Sequence, residues 1–143
     1  MVVASLPRRR AEMLAKLGYV AFAIDMYGKG KTTSHPREAR EWATQIRSNI
    51  ESWQSRARLG LNVLRQQENV DRERLAAIGY CFGGATVMQL VYSGADLKAV
   101  ASFHGSLPTP PPGQGKEIRA RVLACHGADD TFVTREQVEQ TPI

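Results

Sequence analysis

The sequence predicts an α/β fold, with a mostly parallel β-sheet flanked by helices. Short apolar runs alternate with longer helical segments along the chain, which is the order that βαβ units require. The short runs are apolar at consecutive positions, which is typical of parallel strands that are buried on both faces. With 143 residues, 43% of them hydrophobic, we expect one domain with a packed core over residues 1–143.

The first half of the chain predicts a helix, a strand and a long helical region. Arg8–Leu17 carries apolar residues at helical spacing, and Gly18 is placed to end the helix. Tyr19–Ile24 then predicts a strand buried on both faces. Pro36–Gln67 predicts a helix or a helix pair lying on the sheet, with Gly60 as the expected break. Its apolar stripe consists of Trp42, Ile46, Ile50, Trp53, Ala57, Leu61 and Leu64.

The segment Gly79–Gly84 carries the clearest chemical signature. The apolar run Leu75–Ile78 precedes it, and Ala85–Tyr92 after it is long enough for a helix. Strand, glycine turn and helix predict a nucleophile elbow with cysteine in the serine position. Because strand and helix cross closely there, Gly79 and Gly83 are expected to be needed for space. The alternative is a buried structural cysteine in a glycine-rich turn.

Three expectations follow for the chemistry of this turn. The strained turn would expose the sulfur of Cys81 at the top of the sheet. The backbone N–H of Phe82, near the start of the helix, would point at a developing oxyanion. The same helix N-terminus favours the thiolate, which is the reactive form of cysteine.

The second half predicts two more strands and a final helix. Lys98–Phe103 and Arg121–His126 are buried strand candidates, and Thr134 with Gln137 predicts a capping box. In parallel sheets, the side chains that carry chemistry gather at the carboxyl ends of the strands. The residues expected at that edge are Asp25, Cys81, His104, Asp129 and Asp130.

A cysteine on an elbow needs a histidine to move the proton and a carboxylate to orient that histidine. Asp130 is the predicted carboxylate, because it lies in a Gly-x-x-Asp turn directly after a buried strand. A solvated turn aspartate is the alternative. On this type of fold the histidine follows the acid in the chain, and residues 131–143 contain no histidine.

Several segments together resemble the dienelactone hydrolase family, and the resemblance covers about Arg8 to Val133. They are Arg9–Ala15, Gly18–Ala21, Asp25–Gly28, Gly79–Gly84, Ser102–Gly105 and His126–Asp130. The most specific of them is the cysteine elbow with its second glycine, Gly84. The resemblance implies a partial α/β-hydrolase fold, a small-molecule ester or lactone substrate and no cofactor. It also implies Cys81 as nucleophile, the Phe82 amide as oxyanion donor and Asp130 as the acid of the triad.

The chain departs from the family at both ends. The family's catalytic histidine lies downstream of the acid, and its first strands would precede Met1, so we expect a fragment with no catalytic histidine and little turnover. His104 and His126 match positions that the family carries without the base role, although either could act as base, and His35 is expected to be solvated. The alternative function is a non-enzymatic remnant, or a binding or oligomerising module.

Composition narrows the remaining classes of partner. The net charge is +5, but only Arg8–Arg10 forms a basic run and no aromatic residues interleave with it, so we expect no nucleic-acid partner. No apolar run approaches membrane-spanning length. Cys81 and Cys125 have neither metal-ligand spacing nor a disulfide framework, which favours a cytoplasmic protein without a metal. Uncovered sheet edges predict self-association.

Overall fold

The computed structural model describes residues 5–116 and 118–141, and it divides into two compact units that meet between Val70 and Asp71 in the sequence. The expectation of a single domain stays a prediction. The helices of the first unit are α1 (Ser5–Lys16), α2 (Pro36–Arg47) and α3 (Ile50–Arg65). The elements of the second are β1 (Ala76–Tyr80), α4 (Phe82–Tyr92), β2 (Ala99–Phe103), β3 (Arg121–Cys125) and α5 (Arg135–Gln140).

The three strands of the second unit form one parallel sheet in the order β1-β2-β3. Tyr80 lies opposite Phe103, and Phe103 lies opposite Cys125, so the three strands end side by side. The α/β prediction with a parallel sheet and flanking helices is therefore confirmed, and each strand lies within a residue or two of its predicted place.

Helix α4 supplies most of the core of this unit and packs on β1 and β2. Its residues from Gly84 to Tyr92 are all buried, and Ala85 and Met88 have no exposed surface. A helix that is apolar all round is stable only when it is covered on most sides. Burying each large apolar side chain contributes about 1.5–3 kcal/mol, so this helix fixes the position of the turn that precedes it.

In the first unit the predicted helical region is a helix pair, but the break is not at Gly60. The interruption between α2 and α3 lies at Ser48 and Asn49. There the Asn49 side chain caps α3 by accepting the Ser52 N–H at 2.9 Å. Gly60 lies inside α3, and a β-carbon there would lie 2.6 Å from Ile24 Cγ1. Gly60 therefore allows close approach by Ile24 rather than ending a helix.

The apolar stripe of this region is confirmed in its centre. Trp53, Ala57 and Leu61 are buried on α3, whereas Ile50 at the start of that helix is 40% exposed. The stripe therefore marks one buried face of α3 and loses its burial towards the helix start.

The predicted strand at Tyr19–Ile24 is wrong. Gly18 ends α1 with a φ of +92°, as predicted, but the residues after it form no strand, and Tyr19 and Phe22 are 65% and 46% exposed. An apolar run becomes a strand only when a neighbouring strand accepts and donates its backbone hydrogen bonds. None of the residues that the structure describes pairs with this segment.

At the other end of the chain the predicted capping box is present. The Thr134 hydroxyl accepts the Gln137 N–H at 3.3 Å, and the Gln137 side chain accepts the Thr134 N–H at 2.9 Å. Across the described ranges, the helices are too short or too polar to cross a membrane.

Candidate active site

Cys81 alone connects strand β1 to helix α4. Its φ of +53° and ψ of −115° lie in a region that residues other than glycine seldom occupy. Its N–H donates to the Phe103 carbonyl at 2.9 Å, so the pairing of β1 with β2 continues up to the turn. The residue is exposed and its side chain does not cap α4. A strained backbone at an exposed cysteine directly after a strand is the geometry of an elbow.

The glycines that are sterically required in the turn differ in part from the predicted ones. A β-carbon on Gly79 would overlap the backbone carbonyl of Gly83, which confirms Gly79. A β-carbon on Gly83 would meet nothing within 4 Å, so the steric reason predicted for Gly83 is wrong. Gly84 is the second tight position, because a β-carbon there would lie 2.6 Å from Ser102 Oγ and 2.8 Å from Gly105 Cα. Gly83 matters at this crossing through its backbone, which lies against Gly79 of β1, and not through a lack of space for a β-carbon of its own.

Phe82 is the first residue of α4, so its amide lies at the positive end of the helix, next to Cys81. The first turn of α4 contains no acidic residue that would weaken this positive end. The position fits the predicted oxyanion donor, and the role itself stays a prediction.

Asp130 is held in the turn after β3. One carboxylate oxygen, Oδ1, accepts the N–H of Phe132 at 2.8 Å and the N–H of Val133 at 3.2 Å. The Phe132 amide, then that of Val133 and the nearby His104 imidazole, hold the pKa of Asp130 below its ordinary value, although burial acts in the opposite direction. The side chain is only 3% exposed, which argues against a solvated turn aspartate.

Two histidines approach the other oxygen of this carboxylate. His104 Nδ1 lies 2.8 Å from Asp130 Oδ2, and His126 Nδ1 lies 3.6 Å from the same atom. The first distance is that of a close polar contact, which is an ion pair when the imidazole is protonated. The His104 side chain is 62% exposed and that of His126 is 8% exposed. Over the described ranges, no group of three or more His, Cys, Asp or Glu residues is arranged to hold a metal ion.

The contact between His104 and Asp130 is the feature that the sequence did not predict. Both residues follow apolar runs, which the sequence shows, but their proximity depends on β2 lying beside β3. Local periodicity does not predict the order of strands in a sheet. The signal in the sequence that could have pointed to His104 was a histidine followed by glycine directly after a strand.

Asp25 does not belong to this group. It lies in the first unit, in a turn that follows no strand, and its Oδ1 accepts the N–H groups of Tyr27 and Gly28 at 3.0 and 2.9 Å. The prediction that Asp25 lies at a strand end is wrong, because the Tyr19–Ile24 segment before it forms no strand. Cys81, His104 and Asp130 are the predicted edge residues that follow three neighbouring strands, and Asp129 is exposed beside them.

The sequence model of the dienelactone hydrolase family matches residues 4–142. The chain belongs to the dienelactone hydrolase family. The resemblance drawn from the sequence is thereby confirmed. Among curated relatives, a putative carboxymethylenebutenolidase of Synechocystis sp. is 31% identical over 90% of this chain and 57% of its own length. A protein of the same description from Yersinia pestis is 24% identical over 88% of this chain and 51% of its own.

Two solved structures agree with this dienelactone hydrolase assignment. The protein named m3DLH superposes with a TM-score of 0.87 at 42% identity, over 92% of this chain and 55% of that one. A dienelactone hydrolase-like promiscuous phosphotriesterase from metagenomic libraries gives the same TM-score and coverage at 38% identity. The fold is therefore that of the α/β hydrolases, and the chain spans about half the length of the relatives it matches.

Proposed function

We propose that this chain carries the nucleophile of an ester or lactone hydrolase, and that the nucleophile is Cys81. The observation that supports this most directly is the backbone of Cys81, which turns from β1 into α4 within one residue at a φ of +53°, at a residue that is exposed. Membership of the dienelactone hydrolase family supports the class of reaction, and the relatives named as putative carboxymethylenebutenolidases point the same way.

In the proposed reaction the Cys81 thiolate attacks the carbonyl carbon of a small ester or lactone. The carbonyl oxygen becomes negative next to the Phe82 N–H, at the positive end of α4. One oxyanion donor of this kind is typically worth about 2.7–4 kcal/mol in the transition state. The alcohol leaves, Cys81 holds the acyl group as a thioester, and water then hydrolyses the thioester.

Asp130 is proposed as the acid that orients the histidine of this reaction. Its buried, ionised carboxylate supports that role. Because no histidine occurs among residues 131–143, the sequence predicts little turnover by this chain alone. A cytoplasmic location and the lack of a nucleic-acid partner also remain predictions.

The test compares the full chain with two single cysteine variants, Cys81→Ala and Cys125→Ala. p-Nitrophenyl acetate and a simple aromatic lactone are the substrates. We expect p-nitrophenol release, at least one equivalent per chain, that Cys81→Ala abolishes and Cys125→Ala preserves. Equal release from both variants would contradict the proposal. If the folded wild-type chain releases no product above the buffer rate, a binding or oligomerising module becomes the better account.

A further inference from the structure

An open cavity lies in the first unit, between the loop that precedes α2, the second half of α2 and the first half of α3. Its volume is about 250 Å³, just below the roughly 300–1,000 Å³ of sites for drug-sized ligands, so it suits a small molecule. Every described residue that lines it belongs to the first unit, whereas Cys81 belongs to the second. A ligand in this cavity is therefore recognised by a different set of residues from the proposed nucleophile.

The loop before α2 is shaped by two glycines that bring Lys31 to the cavity. Gly28 and Gly30 have φ values of +110° and +82°, which residues with a side chain seldom adopt. The Lys31 N–H donates to the Gly28 carbonyl at 3.1 Å and closes the turn. The Lys31 ammonium then lies over the ring of Trp42, with Nζ 5.7 Å from the ring centroid, which is within the range of a cation–π contact.

Two aromatic side chains form part of the cavity wall. The ring centroids of Tyr27 and Trp42 lie 5.7 Å apart, and the ring planes are tilted by 54°. Because the rings are tilted rather than stacked, neither one covers the face of the other. Both residues are half-buried, so part of each ring remains accessible. The pair can therefore pack against a further flat ring.

The described residues that line the cavity carry two positive charges, on Lys31 and Arg56, and no negative charge. Arg56 Nη1 donates to the Met26 carbonyl at 3.1 Å, which fixes the guanidinium and leaves its other N–H groups for a ligand. Within the described ranges, no carboxylate forms an ion pair with Lys31 or Arg56. Two cations that share a cavity without a counter-ion attract an anion to it.

We propose that this cavity binds a small aromatic carboxylate, with its ring against Tyr27 and Trp42 and its carboxylate held by Lys31 and Arg56. The inference goes beyond the proposed function, because it concerns other residues and a second ligand. The cations alone would attract any small anion, and the rings alone would accept any flat apolar molecule. Their combination in one small cavity favours a molecule that has both features.

The experiment is a titration of the isotope-labelled full chain with benzoate, followed by NMR of the tryptophan indole N–H groups. The chain has two tryptophans, so the two signals report separately on the cavity and on the core. Trp42 lines the cavity, whereas Trp53 is 3% exposed on α3. The variant Trp42→Phe identifies which signal belongs to which residue.

Three further compounds separate the two features of the ligand. Benzamide has the same ring without the charge, cyclohexanecarboxylate has the charge without an aromatic ring, and inorganic phosphate is an anion without a ring. We expect benzoate to shift the Trp42 signal saturably, with a dissociation constant on the order of 1 mM for so small a ligand, and to shift Trp53 little. The other three compounds should bind at least about tenfold more weakly.

Charge-removing variants test the two cations. Lys31→Gln and Arg56→Gln should each weaken benzoate binding about tenfold, because each removes a charge-assisted contact. The matched controls are Lys29→Gln and Arg40→Gln, at exposed residues that do not line the cavity, and both should bind benzoate as the wild type does.

A Trp42 signal that benzoate does not shift in folded wild-type protein overturns the inference. Benzamide, cyclohexanecarboxylate or phosphate binding as tightly as benzoate also overturns it, as does unchanged binding by Lys31→Gln. Lys31→Gln decides the point even if Arg56→Gln, which loses the contact with Met26, does not fold. Since the readout uses neither Cys81 nor turnover, absence of benzoate binding leaves the proposed hydrolase standing, and an inactive chain that binds benzoate supports this site alone.

Discussion

A β-carbon on Gly79 would overlap the backbone carbonyl of Gly83, whereas a β-carbon on Gly83 itself would meet open space. The crossing of β1 and α4 is therefore tight at one glycine and loose at the other. Each position can be tested with the same one-carbon substitution, since neither glycine has a positive φ.

Gly79→Ala should lower the free energy of unfolding by about 3 kcal/mol or prevent folding, because backbone cannot move out of the way of the new atom. Gly83→Ala should be neutral or stabilising by up to about 1 kcal/mol, because alanine is the better helix former. Urea unfolding followed by circular dichroism measures both. Similar losses in the two variants would show that the crossing is not arranged as described.

Local sequence patterns were sufficient to predict most helices and strands of the second unit. The apolar runs, the glycine turn and the Thr134 capping box each act over a few residues, so β1, α4 and α5 could be placed from the sequence. The prediction of a strand at Tyr19–Ile24 failed because a strand also needs a neighbouring strand to pair with. The contact of His104 with Asp130 was missed because it depends on which strands are neighbours.

The lowered pKa of Asp130 predicts acid sensitivity. The amides of Phe132 and Val133, with His104 nearby, favour the ionised carboxylate, so its folded pKa lies below the ordinary 3.8. Its contribution to stability should be complete above that value and should be lost as the pH falls through the folded pKa. Urea unfolding between pH 2 and 6 should show this loss in the wild type and a shallower dependence in Asp130→Asn. Parallel curves would contradict the assignment.

Tyr92 predicts an effect at the alkaline end. It is 2% exposed, burial raises its pKa to about 12, and its hydroxyl has no hydrogen-bond partner in the described chain. The Tyr92 hydroxyl ionises near pH 10 in the unfolded chain but only near pH 12 in the folded chain. The free energy of unfolding should therefore fall between pH 10 and 12. Removing an unsatisfied hydroxyl should help, so Tyr92→Phe should stabilise by about 1 kcal/mol at pH 7.

The control for Tyr92→Phe is Tyr19→Phe, because Tyr19 is 65% exposed and its substitution should change stability by less than about 0.5 kcal/mol. Urea unfolding at pH 7 and pH 11 measures both variants. A clear loss of stability in Tyr92→Phe would show that the hydroxyl is satisfied in solution.

The exposed apolar segment after α1 predicts self-association. Leu17, Tyr19 and Phe22 are 74%, 65% and 46% exposed, and side chains of this size seldom remain uncovered together. Light scattering coupled to size-exclusion chromatography should show a mass that grows with concentration. Tyr19→Lys with Phe22→Lys should reduce that mass, while Phe132→Lys, at an isolated residue 81% exposed, should not. A constant monomer mass would contradict the prediction.

The central claim is that Cys81 is the nucleophile. It is tested most directly by the intact mass of the chain after a short reaction with p-nitrophenyl acetate, followed by peptide mapping. We predict one acetyl group per chain, carried on the peptide that contains Cys81, absent from Cys81→Ala and unchanged in Cys125→Ala. An unmodified Cys81 in folded protein, or acetylation that persists at the same level in Cys81→Ala, would contradict the account.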